Sequence, residues 1–164
     1  MAVRVDQRPA TVVFPESADD VVAVIRYANE AGLRVAPQAT GHNAPPLGDL
    51  AETVLVKMER MRAVEIRPEA MVARAEAGCV WEDVVVPAAD AGYAVLHGSS
   101  PDVGVAGYML GGGVGWLARK HGLATNSLTA VELVTPAGEF VRADLSTTPC
   151  CSGRCAAAEG TSAS

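Results

Sequence analysis

The sequence predicts an α+β fold, and three observations point to it. Short β-branched runs and one amphipathic helical stretch alternate in the N-terminal part of the chain. Two further pairs of apolar runs each flank a turn that contains proline. Ala, Val and Gly dominate the composition, with only two Trp, two Phe and three Tyr among 164 residues. That composition suits a core of small, tightly packed side chains, and by itself it fits an α/β arrangement equally well.

Taken in order, Ala10–Phe14 is a β-branched run closed by Pro15 and reads as a strand. Ser17 then opens a helix as an N-cap, with Asp19 and Asp20 in the first turn, where the helix dipole favours negative charge. Val21, Val24, Ile25 and Ala28 recur at helical spacing, and Gly32 stops the helix. Leu33–Ala36 follows as a strand, so the first unit is β-α-β, with a crossover long enough for parallel strands. The turn from Pro37 to Asn43 comes directly after that strand, at the end of a sheet where open α/β folds bind ligands. Thr53–Met58 is a third strand, and Ala63–Ile66 with Met71–Ala75 form a hairpin around Arg67-Pro68-Glu69. Trp81–Ala91 is a helix that Pro87 bends or shortens. Leu128–Thr135 and Glu139–Arg142 make a second hairpin across Pro136-Ala137-Gly138.

Between the helix and the second hairpin lies the stretch on which the chain is organised, Gly98 to Leu123. It holds half of the sixteen glycines, including Gly111-Gly112-Gly113 and Gly115. Backbone N–H groups exposed in such turns form concavities that bind anions, phosphates above all. A flexible linker is a poor reading, because Val103, Val105, Tyr108, Met109, Leu110, Val114, Trp116 and Leu117 are too apolar for one. A phosphate-bearing cofactor along this segment is the expectation.

A net charge of −6 with no basic stripe argues against nucleic-acid binding. No apolar run approaches the roughly 20 residues that cross a bilayer, and MAVRVDQRPA has no apolar stretch before a cleavage site. The chain reads as a cytoplasmic protein with no membrane partner. Cys79 lies in the body, and Cys150, Cys151 and Cys155 crowd the C-terminus without a matching His or Cys set, so neither a metal site nor a disulfide framework is expected. Gly113-Val114-Gly115-Trp116-Leu117-Ala118 matches G-x-G-x-x-A, with Glu132 about 20 residues on, as a dinucleotide fingerprint would have it. That fingerprint belongs at a first strand-to-helix turn, whereas here a βαβ unit and a hairpin come before it. A Rossmann-type NAD-binding domain is therefore the weaker alternative.

The order RPA-x-VV-x-P-x-S-x-DDV, then GHN, then SPDVG-x-AG-x-x-LGGG-x-G-x-x-x-R-x-x-GL, then V-T-P-x-G resembles one known domain. It is similar to the FAD-binding domain of the p-cresol methylhydroxylase / vanillyl-alcohol oxidase superfamily, nearest to berberine-bridge-enzyme-like FAD-linked oxidases. The resemblance runs from Arg8 to about Asp144, all elements in order. It implies a small βαβ-containing subdomain followed by a mixed or antiparallel sheet with flanking helices, residues 8–146, with an irregular tail over 147–164.

By the same resemblance, Gln38, Ala39, Thr40, Gly41, His42 and Asn43 form the loop that holds the FAD pyrophosphate. His42 is the attachment point for the flavin 8α-methyl group. Ser100 stands where some members carry a second, cysteinyl tether, so at most one covalent bond is expected. Gly98, Ser99, Ser100, Asp102, Gly104 and Gly107 are further FAD contacts. Leu110, Gly111, Gly112 and Gly113 pack close to the cofactor, and Val134 lies on the strand passing the adenine. His97 and His121 are structural or surface residues. Family members pass a hydride from an alcohol, sugar or aromatic substrate to the flavin. Their substrate-recognising residues and general base lie in a downstream domain, so a small-molecule substrate is expected only where that domain is supplied. Without it the chain is a truncated, non-catalytic flavin-binding module or an inert fragment, and no catalytic residue is assigned.

The tail departs from the family, which continues with a segment resembling L-F-W-A-L-R-G-G-G-G. Codons can be chosen for Cys150–Ser162 that, read two bases later, give Leu-Phe-Trp-Ala-Leu-Arg-Gly-Gly-Gly-Gly. The tail accordingly reads as out-of-frame translation or as a disordered low-complexity terminus.

Overall fold

The computed structural model describes residues 6–144. Its first unit is a parallel sheet of three strands, β1 (Thr11–Val13), β2 (Arg34–Gln38) and β3 (Thr53–Lys57), in the order β1-β3-β2. The helix α1 (Ala18–Ala31) carries the chain from β1 across to β2, and β3 then enters between them. Its ends are those expected: the Ser17 hydroxyl accepts from the Asp20 N–H at 3.2 Å, and Gly32 closes it in the left-handed region at φ 67°.

Alternation along β3 sorts its side chains between two faces. Val54 and Val56 pack with Val24 and Ala28 of α1, while Leu55 packs with Ala36 and Leu50 on the other side. As the central strand it is buried along most of its length, which explains its unbroken apolar run.

The antiparallel part consists of two separate hairpins. One pairs β4 (Val64–Arg67) with β5 (Val72–Ala75), and the other pairs β6 (Ala130–Val134) with β7 (Phe140–Asp144). The first turns through a short 3₁₀ segment, Pro68–Ala70, and Met71 at φ 51°. Met71 was expected inside the strand; its left-handed backbone removes it from the ladder, and β5 begins at Val72. The turn of the second hairpin docks on α1: Asn29 Nδ2 donates to the Pro136 carbonyl at 2.8 Å, and Gly138 lies against the Arg26 side chain. Between the hairpins, Glu132 takes hydrogen bonds from Arg74 at 2.8 Å and Arg142 at 3.3 Å.

The helix α2 (Trp81–Asp90) contains Pro87 and continues one turn past it. A proline there forgoes one backbone bond, but buried Trp81, Val84 and Ala88 keep the helix seated, so the proline does not end it. Asp83 accepts from the Val80 N–H at 2.9 Å and from Nε and Nη2 of Arg62 at 3.0 and 2.7 Å. Burial alone would raise the Asp83 carboxyl, yet these donors more than offset it and hold it below the usual range. Cys79 is a fully buried thiol, and burial pushes its pKa up. The clustered cysteines of the tail lie outside the described residues.

Two expectations follow. A Cβ at Gly78 would overlap the Met58 carbonyl oxygen and come within 2.8 Å of that of Met61, both of them backbone. Gly78→Ala should therefore cost about 2–3 kcal/mol by overpacking. Gly32→Ala, which meets open space but keeps a left-handed φ, should cost about 1 kcal/mol. Urea unfolding of both variants checks the order. Glu132 is held below the usual glutamate range, first by its hydrogen bond from Arg74. A carboxylate depressed in the folded state adds stability above its unfolded pKa and withdraws it as pH falls through the folded one. Glu132→Gln should lower neutral-pH stability by about 0.5–1 kcal/mol. It should also remove part of the acid-induced loss, as read by urea midpoints across the acidic range.

Candidate functional site

The C-terminal ends of β2 and β3 open onto the first loop, Ala39–Asn43. Gln38, expected within the loop, is instead the last residue of β2, paired in register with Lys57. Its side chain is buried and fully oriented. Lys57 Nζ donates to Gln38 Oε1 at 2.9 Å, and Gln38 Nε2 donates to Gln7 Oε1 at 3.1 Å. An ammonium only donates, so this chain of bonds fixes which end of each amide is oxygen. Gly41, at φ 76°, packs on the Gln38 amide, where a Cβ would come within 3.4 Å of Cδ. Beyond it, Ala44 N–H closes back on the Gly41 carbonyl at 3.1 Å. The amide N–H groups of Thr40, Gly41, His42 and Asn43 donate to no acceptor among the described residues. Consecutive free amides in a tight turn form an anion-binding concavity. Thr40, His42 and Asn43 are exposed.

The second loop begins at Gly98 and runs through α3 (Val105–Leu110) and Gly111–Gly113 to α4 (Ala118–His121). Backbone bonds tie it to the start of α2: Trp81 N–H reaches the Val103 carbonyl at 3.0 Å, Glu82 N–H that of Pro101 at 2.9 Å, and Val105 N–H that of Cys79 at 2.9 Å. These satisfy donors that the first turn of α2 would otherwise leave free. The two loops meet at Gly104, which is buried; a Cβ there would lie 3.4 Å from Thr40 Cγ2 and 3.8 Å from Ala39 Cβ. Along the second loop Ser99, Ser100, Asp102, Gly107 and Gly111 are exposed. Space over the Gly107 α-carbon is open.

Tyr108 holds the second loop from below. Its ring meets Trp81 edge-on at 5.3 Å and touches the backbone at Gly98, Gly113 and Gly115. A Cβ at Gly113 would fall 2.6 Å from Tyr108 Cε1 and 2.8 Å from Ala124 Cβ, and one at Gly115 would overlap the His97 carbonyl oxygen. These two glycines are thus required by protein packing. Burial raises the Tyr108 hydroxyl pKa. His97 Nδ1 lies 2.7 Å from the Gly98 carbonyl, so that nitrogen carries the proton. His121 is exposed. Beside the second loop, a cavity of about 190 Å³ is lined by Trp81, Val85, Val86, His97, Ser99 and Trp116.

Of the residues expected at the site, the fold brings Ala39 and Thr40 of the first loop against Gly104 of the second. Leu110 and Gly112 are half-buried at the end of α3, and Val134 pairs with Phe140 at the end of β6. The dinucleotide-type reading of Gly113–Ala118 fails on position: Gly113 follows α3 rather than a strand, and α4 has four residues. Glu132 is committed to Arg74 and Arg142. Lys57, Tyr108 and Trp81 were not assigned to the site from sequence. Only the parallel register sets Lys57 beside Gln38, and only packing shows what the glycines surround. Among the described residues no cluster of His, Cys, Asp or Glu could hold a metal, and no helix is long and apolar enough to cross a membrane.

A family model described as FAD binding domain matches residues 9–144. The chain is 33% identical over 135 residues to (R)-6-hydroxynicotine oxidase of Paenarthrobacter nicotinovorans, spanning 82% of this chain and 30% of that protein. It is 30% identical over 149 residues to a xylooligosaccharide oxidase of Thermothelomyces thermophilus, again spanning 30% of the relative and 89% of this chain. The wild-type BBE-like 1 structure from Physcomitrella patens superposes with a TM-score of 0.78 at 31% identity, over 89% of this chain and 33% of that one. The chain thus spans about a third of the length of the proteins it matches.

Glycines required by packing and glycines open to a ligand should respond differently. Gly107→Ala is expected to raise the stability of the ligand-free protein by about 0.5–1 kcal/mol, as Ala does in helices, and to weaken binding of any molecule lying over α3. Gly113→Ala should destabilise the ligand-free fold by about 2–3 kcal/mol. Thermal melts with and without ligand separate the two.

Proposed function

The chain belongs to the FAD binding domain family, and from that premise we propose that it is the cofactor domain of an FAD-linked oxidoreductase. The observation that carries this reading is the run of unpaired amides from Thr40 to Asn43, seated at the C-terminal end of a parallel sheet and abutting the second loop at Gly104. The residues fit the cofactor: the free N–H groups of the first loop would hold a diphosphate, and the hydroxyls of Ser99 and Ser100 stand exposed on the second. When bound, FAD supplies the electron chemistry, accepting a hydride from an alcohol, sugar or aromatic substrate.

The protein's own part is to bind and orient. Gln38 to Asn43 hold the diphosphate. Gly98, Ser99, Ser100, Asp102, Gly104 and Gly107 would contact FAD from the second loop, Leu110 to Gly113 would lie close to it, and Val134 would be near its adenine. His42 is the covalent anchor; its ring is exposed and has no partner among the described residues. Ser100 has no thiol, so a second tether of the thioether kind is not formed. The names of two relatives, an (R)-6-hydroxynicotine oxidase and a xylooligosaccharide oxidase, support an aromatic or sugar substrate for the whole protein. Substrate-contacting residues lie outside this chain, and oxidation is the work of the whole protein. The chain is assigned to the cytoplasm.

Covalent anchoring is tested by acid precipitation of purified protein. The wild type should retain yellow, acid-stable flavin. His42→Ala should release its flavin into the supernatant while still binding FAD reversibly, as read by quenching of flavin fluorescence. Acid-stable flavin in His42→Ala would move the anchor to another residue, and no flavin binding in either protein would sink the reading of the site.

A further inference from the structure

We propose that Lys57 supplies the positive charge that recognises the diphosphate at the first loop, a role that rests on the FAD-binding reading above. Lys57 is the last residue of β3, and its parallel register sets it side by side with Gln38 at the C-terminal edge of the sheet. Its ammonium is half-buried and donates to Gln38 Oε1 at 2.9 Å, yet no carboxylate lies within ion-pair distance among the described residues. The guanidinium groups of Arg60, Arg62, Arg67, Arg74 and Arg142 each bond to an acidic side chain, whereas that of Arg34 donates to the Asp49 carbonyl.

A partly desolvated cation without a counter-charge is costly unless an anion completes it. Three neighbouring features point the same way. Gly41 packs on the amide that Lys57 orients, so the ammonium is coupled to the turn bearing the four unpaired N–H groups. Gln7 Nε2, at the far end of the same chain of bonds, is a buried donor with no acceptor. The cluster therefore offers an excess of donors and one full positive charge to whatever binds the loop. A diphosphate takes both, since it accepts hydrogen bonds and carries negative charge. The isoalloxazine and ribityl parts of the cofactor do not match a cation in this way, so Lys57 acts on the phosphate end.

The test compares FAD, riboflavin and inorganic pyrophosphate in the His42→Ala background, where the cofactor is exchangeable, with Lys57 intact, Lys57→Met and Lys57→Arg. Flavin fluorescence gives the affinities, and thermal melting without ligand gives stability. Lys57→Met is expected to weaken FAD by roughly tenfold or more, the range of a charged hydrogen bond, and to leave riboflavin unchanged. It should also flatten the salt dependence of FAD binding, and Lys57→Arg should keep most of the affinity. Pyrophosphate competing with FAD only when Lys57 is present would assign the site to the diphosphate itself, whatever molecule carries it. Equal loss of FAD and riboflavin with a lowered melting temperature would reduce Lys57 to a structural prop for Gln38 and overturn the role. Unchanged FAD affinity in Lys57→Met would overturn it directly. If the parent protein binds no FAD, the cofactor reading fails first and takes this role with it.

Discussion

The ring of Tyr108 dictates the path of the second loop. It is wedged between Trp81 on one side and the backbone at Gly98, Gly113 and Gly115 on the other, at separations that leave no room for a Cβ. Packing of this kind is unforgiving, because the obstructing atoms belong to a ring locked by its neighbours or to backbone. The glycine-rich run therefore folds back on the core at two of its glycines. Where the loop leaves Tyr108, its residues Ser99, Ser100, Asp102 and Gly107 are exposed. Gly104 is held instead by its bridge to Val80 at the start of α2, and there Thr40 of the first loop arrives.

The first loop depends on a different kind of interaction. Its amides face outward because β2 and β3 end together, and because the Lys57–Gln38–Gln7 bonds support the turn from beneath. Polar groups buried at the end of a parallel sheet must find partners or a ligand. Here Lys57, Gln38 and Gln7 are joined to one another, and Gln7 Nε2 and the amides of Thr40 to Asn43 have no acceptor among the described residues. Shape is thus set by the apolar wedge around Tyr108, and charge by the sheet end around Lys57. The two meet at a single contact, Thr40 against Gly104.

Much of the local structure was legible along the chain. Ser17 and Gly32 bound α1 by side-chain and backbone chemistry that does not depend on the rest of the molecule. The proline-marked turns located both hairpins, and the apolar run Thr53–Met58 marked the third strand, whose two buried faces the fold then revealed. Less legible were features decided at a distance. Pro87 sits inside a helix because Trp81, Val84 and Ala88 anchor it. Met71 leaves its strand because its backbone turns left-handed there. Lys57 lacked any signal, since its neighbour Gln38 is far from it in sequence.

By itself the sequence determined the order of elements, the two loops and the chemistry of a phosphate-bearing cofactor, because capping, turn formation and hydrophobic period act over a few residues. The tertiary structure alone decided which glycines serve the core and which border open space. It also decided that β3 enters between β1 and β2, and that an unpaired ammonium stands under the first loop. Those outcomes depend on close approach between segments distant in sequence, and sequence periodicity carries no information about such distances.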